Sequence, residues 1–133
     1  MPDNTLHNGS IAADISRGTV QLLRDYIGHG PTKARTVISK DTVAIVLGDA
    51  LTKGERTLLS MGEQDHVLQT RRILQQLMRD DLVQLVERLS GRTVEVFFSD
   101  HHIDPDYAVE FFLLEPLPGI ENLEPRGEVE PPA

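Results

Sequence analysis

"ARTVISKDTVAIVLG", Ala34–Gly48, decides the fold of this chain. Its two halves, ARTVIS and TVAIVLG, are dense in Val, Ile and Thr, whose branched or β-favouring side chains suit a pleated strand better than a helix. Only Lys40 and Asp41 separate them, and so short a polar connection predicts a β-hairpin. Gly48 ends the second run.

Upstream the period changes. Ile11, Ile15, Leu22 and Tyr26, with Thr19, Leu23 and Ile27 beside them, form one apolar stripe at helical spacing, and Ser10 is the candidate N-cap. Gly18 lies inside this helix at a cost of about 1 kcal/mol relative to Ala, which is tolerable where another element packs closely. Helix and hairpin are joined by "YIGHGPTKAR", Tyr26–Arg35. Gly28, Gly30 and Pro31 read as a stop signal: a left-handed cap residue, then a residue that cannot continue a helix. The same turn, with His29, Gly30, Lys33 and Arg35, is also a candidate ligand-binding nest for an anion. The preceding helix presents its negative pole there, which favours the stop signal.

Downstream, "LTKGERTLL" opens a short helix, because Thr52 and Glu55 stand in the S/T-x-x-E relation of a capping box. A break at Met61–Asp65 precedes the longest helical pattern, Gln64–Ser90, with Gly91 as its natural C′ residue. At 1.5 Å per residue that helix is about 40 Å long, more than so small a domain needs to cover its own sheet. "RTVEVFFS" sets Val94, Val96 and Phe98 against Thr93, Glu95 and Phe97, and "YAVEFFLL" repeats the strand character after "DHHIDPD". The predicted order is αββααββ, an α+β fold with a four-stranded, largely antiparallel sheet made of two hairpins and helices on one face. Residues 1–9 are expected to be disordered, 10–115 to form a single domain, and 116–133 to be a disordered Pro/Glu-rich tail.

Composition narrows the function classes. The net charge of -8 argues against tight binding to nucleic acid or to an anionic membrane surface. The sequence holds no apolar run of the roughly 18 to 20 residues a membrane span requires, and its start has no signal-peptide pattern. Zero cysteines exclude a disulfide framework and a Cys-type zinc site. These features predict a cytoplasmic protein without membrane insertion.

The glycine turn "GHGP", the hairpin, "LTKGE", an arginine early in the long helix, Gly91, and a strand ending in "SD" resemble the MpsC-like family, named after a Na+-translocating, membrane-potential-generating system. The resemblance spans about Ile11 to Leu114, and Gly28, Gly30, Pro31, Leu51, Thr52, Glu55, Arg71, Gly91 and Asp100 carry it. It implies a cytosolic α+β protein associated with cation or inorganic-carbon transport, and no reaction. His29 stands where a basic residue is expected, and His101-His102 is not part of the pattern.

Among candidate site residues Arg71 ranks first, since its spacing from Val67, Leu74 and Met78 puts it on the apolar face of the long helix, where a guanidinium needs a partner. Either it closes a salt bridge within the fold, to Glu55 or Asp100, or it anchors a small anion together with Lys33 and Arg35. "DHHIDPD" concentrates five potential metal ligands, yet adjacent histidines on an extended chain point apart, and no metal or cofactor is expected. No P-loop, GxGxxG or Ser/His/Asp order is present, so no catalytic residue is assigned and no enzyme is expected. The leading expectation is a non-catalytic accessory or regulatory protein that forms a homodimer, through the long helix or an open sheet edge, and contacts another, unidentified protein. The alternative is a small-anion binding or sensing module built on Arg71 with Lys33 or Arg35. A hydrolase or metal site around Asp100–Asp106 is a third reading, and it requires those side chains to converge.

Overall fold

A computed structural model describes residues 4–117, and its elements run α1 (Asn4–Ile27), β1 (Lys33–Ser39), β2 (Thr42–Gly48), α2 (Lys53–Ser60), α3 (Gln64–Ser90), β3 (Val94–His102) and β4 (Tyr107–Leu114). The predicted order and the α+β class are those observed. Residues 1–3 and 118–133, which include nearly all of the expected tail, lie outside the described residues. α1 starts at Asn4 and runs through Ser10, so Ser10 is an interior helix position and not the N-cap. No proline between Asn4 and Ser10 stops the helix from extending upstream.

The sheet is fully antiparallel in the order β1-β2-β4-β3, with the two hairpins joined by β2 and β4 from Thr42↔Leu113 to Gly48↔Tyr107. Side chains alternate along each strand. Val43, Ile45 and Leu47 of β2, with Ala108, Phe112 and Leu114 of β4, therefore face one way and are buried against Ile15 and Leu23 of α1 and Met78, Leu82 and Val86 of α3. Burial of this kind contributes about 1.5–3 kcal/mol per large apolar side chain and is the main term holding the layers together.

Two helix ends follow the sequence rules. Gly28 (φ 79°) and Gly91 (φ 69°) take the left-handed conformation that closes α1 and α3, with Gly28 N donating to Arg24 O at 2.9 Å. At α2 the capping box is complete: Thr52 Oγ1 accepts from Glu55 N at 3.1 Å, and Thr52 N donates to Glu55 Oε1 at 2.9 Å. Gly18 is explained by packing, because a Cβ there would lie 2.6 Å from Leu85 Cδ1 of α3. Tyr26 also ties the two long helices, its hydroxyl donating to Asp81 Oδ2 at 2.6 Å.

β3 departs from simple alternation. A register shift between Val94 and Val96 puts Val94 with the core and Val96 on the opposite face, where strict alternation had placed both with Phe98. A bulge adds one residue and so resets which face the following side chains occupy. Each phenylalanine pair splits between the faces because adjacent strand residues point opposite ways. Phe97 and Phe112 meet on the helix side with ring centroids 4.9 Å apart, while Phe98 and Phe111 meet on the other side at 6.3 Å. Phe98 is 58% exposed.

Candidate functional site

The loop after β2 is held from two sides. Asp49 takes a left-handed φ of 59°, a conformation that Asp tolerates, and this turns the chain from the sheet toward α2. From the β3–β4 turn, Asp106 O accepts from Asp49 N at 3.1 Å, and Asp106 Oδ2 accepts from Leu51 N at 2.9 Å. From α3, Arg71 Nη2 donates to Ala50 O at 2.6 Å.

Arg71 is buried and its guanidinium meets the Glu55 carboxylate at two points, Nε donating to Oε2 at 2.6 Å and Nη2 to Oε1. Burial pushes the Glu55 carboxyl up, but hydrogen bonds from Arg71 and Thr52 together with the Arg71 charge outweigh it, and the net shift is downward. Thr52, Glu55 and Arg71 thus form one unit: the cap residue positions the carboxylate and the carboxylate receives the arginine. The sequence allowed Arg71 either an internal salt bridge or an anion, and the internal salt bridge is what the geometry contains.

The remaining predicted ligand residues lie elsewhere. Lys33 and Arg35 project from the face of β1 opposite Ala34 and Ile38, which pack on the core, so the sheet separates them from Arg71. They border an open recess of about 500 Å³ with Thr32 and Tyr107. His29 approaches the Asp49 carbonyl at 3.3 Å, and Thr32 Oγ1 donates to Asp49 Oδ2 at 3.2 Å. A carboxylate beside the turn opposes an anion there. Gly30 packs on Arg24, with 2.8 Å from an added Cβ to Nε. The GHGP turn acts as a helix stop.

"DHHIDPD" splays rather than converges. Asp100, His102 and Asp104 are exposed; only His101 and Asp106 meet, Nε2 donating to Oδ1 at 2.8 Å. Arg56 pairs with Asp49 and reaches Asp106 Oδ2 at 3.7 Å. Among the described residues no group of three or more His, Asp or Glu is placed to hold a metal ion.

One member of this region had no prediction attached to it. Glu110 lies on the inward face of β4, opposite Ser99, with only 3% of its surface exposed. Burial pushes its carboxyl up to about 7, against the opposing pull of Ser99 and the Arg71 charge. Glu110 Oε2, Ser99 Oγ and His101 Nδ1 are buried without a hydrogen-bond partner. Its signal was present in "YAVEFFLL", where Glu110 occupies the same parity as Ala108, Phe112 and Leu114. Chemically the region combines an Arg–Glu pair, a His–Asp pair and a carboxyl of raised proton affinity. Ser99 makes no hydrogen bond to His101.

An uncharacterized protein of Bacillus subtilis (strain 168), YbcI, is 29% identical over 93 residues, covering 69% of this chain and 75% of that protein. No solved structure matches significantly. The family model described as "Na+-translocating membrane potential-generating system (MpsC)" matches residues 7–116, which span α1 through β4 and hence the whole Thr52–Glu55–Arg71 unit, and the chain belongs to the MpsC family.

Proposed function

We propose that this chain is a non-catalytic accessory protein of a Na+-linked membrane system, acting from the cytoplasm by contact with protein subunits and with a second copy of itself. The observation that carries this reading is the face of the sheet that no other described residue covers. Both long helices cover the other face, which leaves Val37, Phe98 and Val109 at 48%, 58% and 36% exposure. Contiguous exposed apolar surface of this kind marks an interaction site more often than a neutral surface.

Two further observations support it. No helix among the described residues is long and apolar enough to cross a membrane, so none of them supplies an α-helical path for an ion. Within the charged cluster, for its part, the Arg71 charge is spent on an internal pair, closed by Glu55 and the Ala50 carbonyl, and is not held open for an anion.

The test is made in cells. A strain lacking the gene is followed with a potential-sensitive dye in Na+ medium and in medium where K+ replaces Na+. A lowered potential in Na+ alone, restored by the wild-type chain but not by Phe98→Asp, supports the reading; an unchanged potential overturns it.

A further inference from the structure

We infer that two copies of the chain pair through the uncovered faces of their sheets, about a two-fold axis parallel to the strands, which sets Arg35 of each copy against Asp100 of the other. The inference rests on the protein-contact reading above and names one partner for that face and its register.

The register of the sheet lays its outer side chains out in straight rows. One row runs Arg35↔Val46↔Val109↔Asp100 from the β1 edge to the β3 edge, and the next runs Val37↔Ala44↔Phe111↔Phe98. The first row is therefore apolar in the middle, with a cation at one end and an anion at the other. Both charged groups are exposed, and among the described residues neither has an ion pair; Asp100 Oδ1 accepts only from the adjacent His101 N, at 2.8 Å. A row with opposite free charges at its two ends is self-complementary under a two-fold operation that exchanges the edges.

Only one of the two simple axes does this. Rotation about an axis along the strands, between β2 and β4, lays β1 over the partner's β3 and β2 over the partner's β4. Arg35 then meets the partner's Asp100, Val37 meets the partner's Phe98, and the small Ala44 lies under the partner's Phe111. Rotation about an axis across the strands, through the middle of the face, would instead lay β1 on β1 and β4 on β4 with the row order reversed, setting Arg35 over Val37 of the other copy, Asp100 over Phe98 and Val109 over Phe111. A charge laid over an apolar side chain loses water without gaining a partner, and a large residue over a small one packs better than two large ones. Aligned sheet packing, with the strands of the two layers within about 30° of parallel, is a standard solution for covering an apolar sheet face.

The size of the face sets the strength. Four strands about 4.8 Å apart and four rows about 6.8 Å apart give about 500 Å² per copy, less than the roughly 800 Å² per partner of a standard interface, so a weak, dissociable dimer is expected.

Sedimentation velocity on the full chain over a concentration series tests this, with Arg35→Asp, Asp100→Arg and the double variant beside the wild type. Each single reversal creates two like-charge contacts per dimer and is expected to weaken association about 100-fold, while the double reversal restores it to within about threefold of wild type. Both substitutions are at exposed positions, and circular dichroism verifies that each of the three variants is folded. A wild type that stays monomeric up to about 1 mM, single variants that associate as the wild type does, or a double variant that stays apart overturns the proposal. A monomeric chain that still restores the Na+-dependent potential ends the dimer alone; a dimer without effect on the potential ends the accessory reading alone.

Discussion

Arg71 of α3 and Glu55 of α2 are joined at two points, with their side chains only 5% and 12% exposed, and the same arginine reaches back to the Ala50 carbonyl. One buried cation therefore fixes the start of α2, the early part of α3 and the end of the β2 loop relative to one another. Removing the acceptor alone leaves a guanidinium buried without its charge partner, which costs about 3–5 kcal/mol. Glu55→Ala is expected to lose stability in that range. Arg71→Met, which removes the charge and keeps an apolar stem, is expected to lose less. Urea denaturation of both variants checks the order; a Glu55→Ala midpoint equal to wild type would show that the pair contributes nothing.

Glu110 gives the fold a pH dependence of definite sign. Its carboxyl titrates at about 7 in the folded chain, because burial disfavours the charged form, against an ordinary value of 4.5. A raised folded value means that the native state holds the proton more tightly than the unfolded chain. The contribution is therefore fully present below about pH 4.5, declines as pH rises toward 7, and is gone above that, a change of about 3 kcal/mol. Glu110→Gln keeps the shape without the titration and is expected to flatten this part of the curve. The measurement is unfolding free energy from pH 5 to 8 for both proteins, read as their difference so that carboxylates such as Glu55, whose shift has the opposite sign, cancel. A constant difference across the range would overturn the assignment.

Much of this architecture was legible because local rules and tertiary structure agree. The hairpin at Lys40-Asp41, the Thr52–Glu55 capping box and the glycine ends of α1 and α3 each depend on residues close in sequence. What escaped depends on distant partners. The bulge between Val94 and Val96 cannot be read from a strand that alternates well without it, and it decides which valine meets the core. Arg71 was legible as a cation on an apolar face, but its choice between Glu55, Asp100 and an external anion was not, since the answer lies in how α2 folds back onto α3. Glu110 is the instructive case: its parity on β4 marks it as inward, yet a single glutamate in an apolar strand reads equally well as an ordinary edge residue until β2 and β3 are known to flank it.

The split of the phenylalanine pairs makes a stability prediction that separates the two faces. Phe112 is fully buried against Phe97 and the helices, so Phe112→Ala is expected to cost about 3–5 kcal/mol. Phe98 is 58% exposed and loses little when truncated, within about 0.5 kcal/mol for Phe98→Ala in the dilute chain. Thermal unfolding at low concentration measures both. Reversed losses would mean that the sheet presents the opposite face to the helices, and equal losses that both faces are covered alike.

Gly18 and Leu85 make the last case, because two effects compete there. Replacing a helix-interior glycine by a residue with a side chain ordinarily stabilises the helix by up to about 1 kcal/mol. At Gly18, however, an added Cβ would lie 2.6 Å from Leu85 Cδ1 and 2.9 Å from Cδ2, so α1 and α3 could keep their present spacing only if Leu85 moved. Leu85 is itself buried, and a branched side chain adds two methyl groups to the conflict. Gly18→Val is accordingly expected to destabilise by about 1–3 kcal/mol, the usual range for overpacking. Leu85→Ala opens the space, so the double variant should be more stable than the two single losses added together. A double-mutant cycle by denaturant unfolding reads the coupling: strict additivity would mean that the helices move apart freely, and that the glycine is there for some reason other than the leucine across from it.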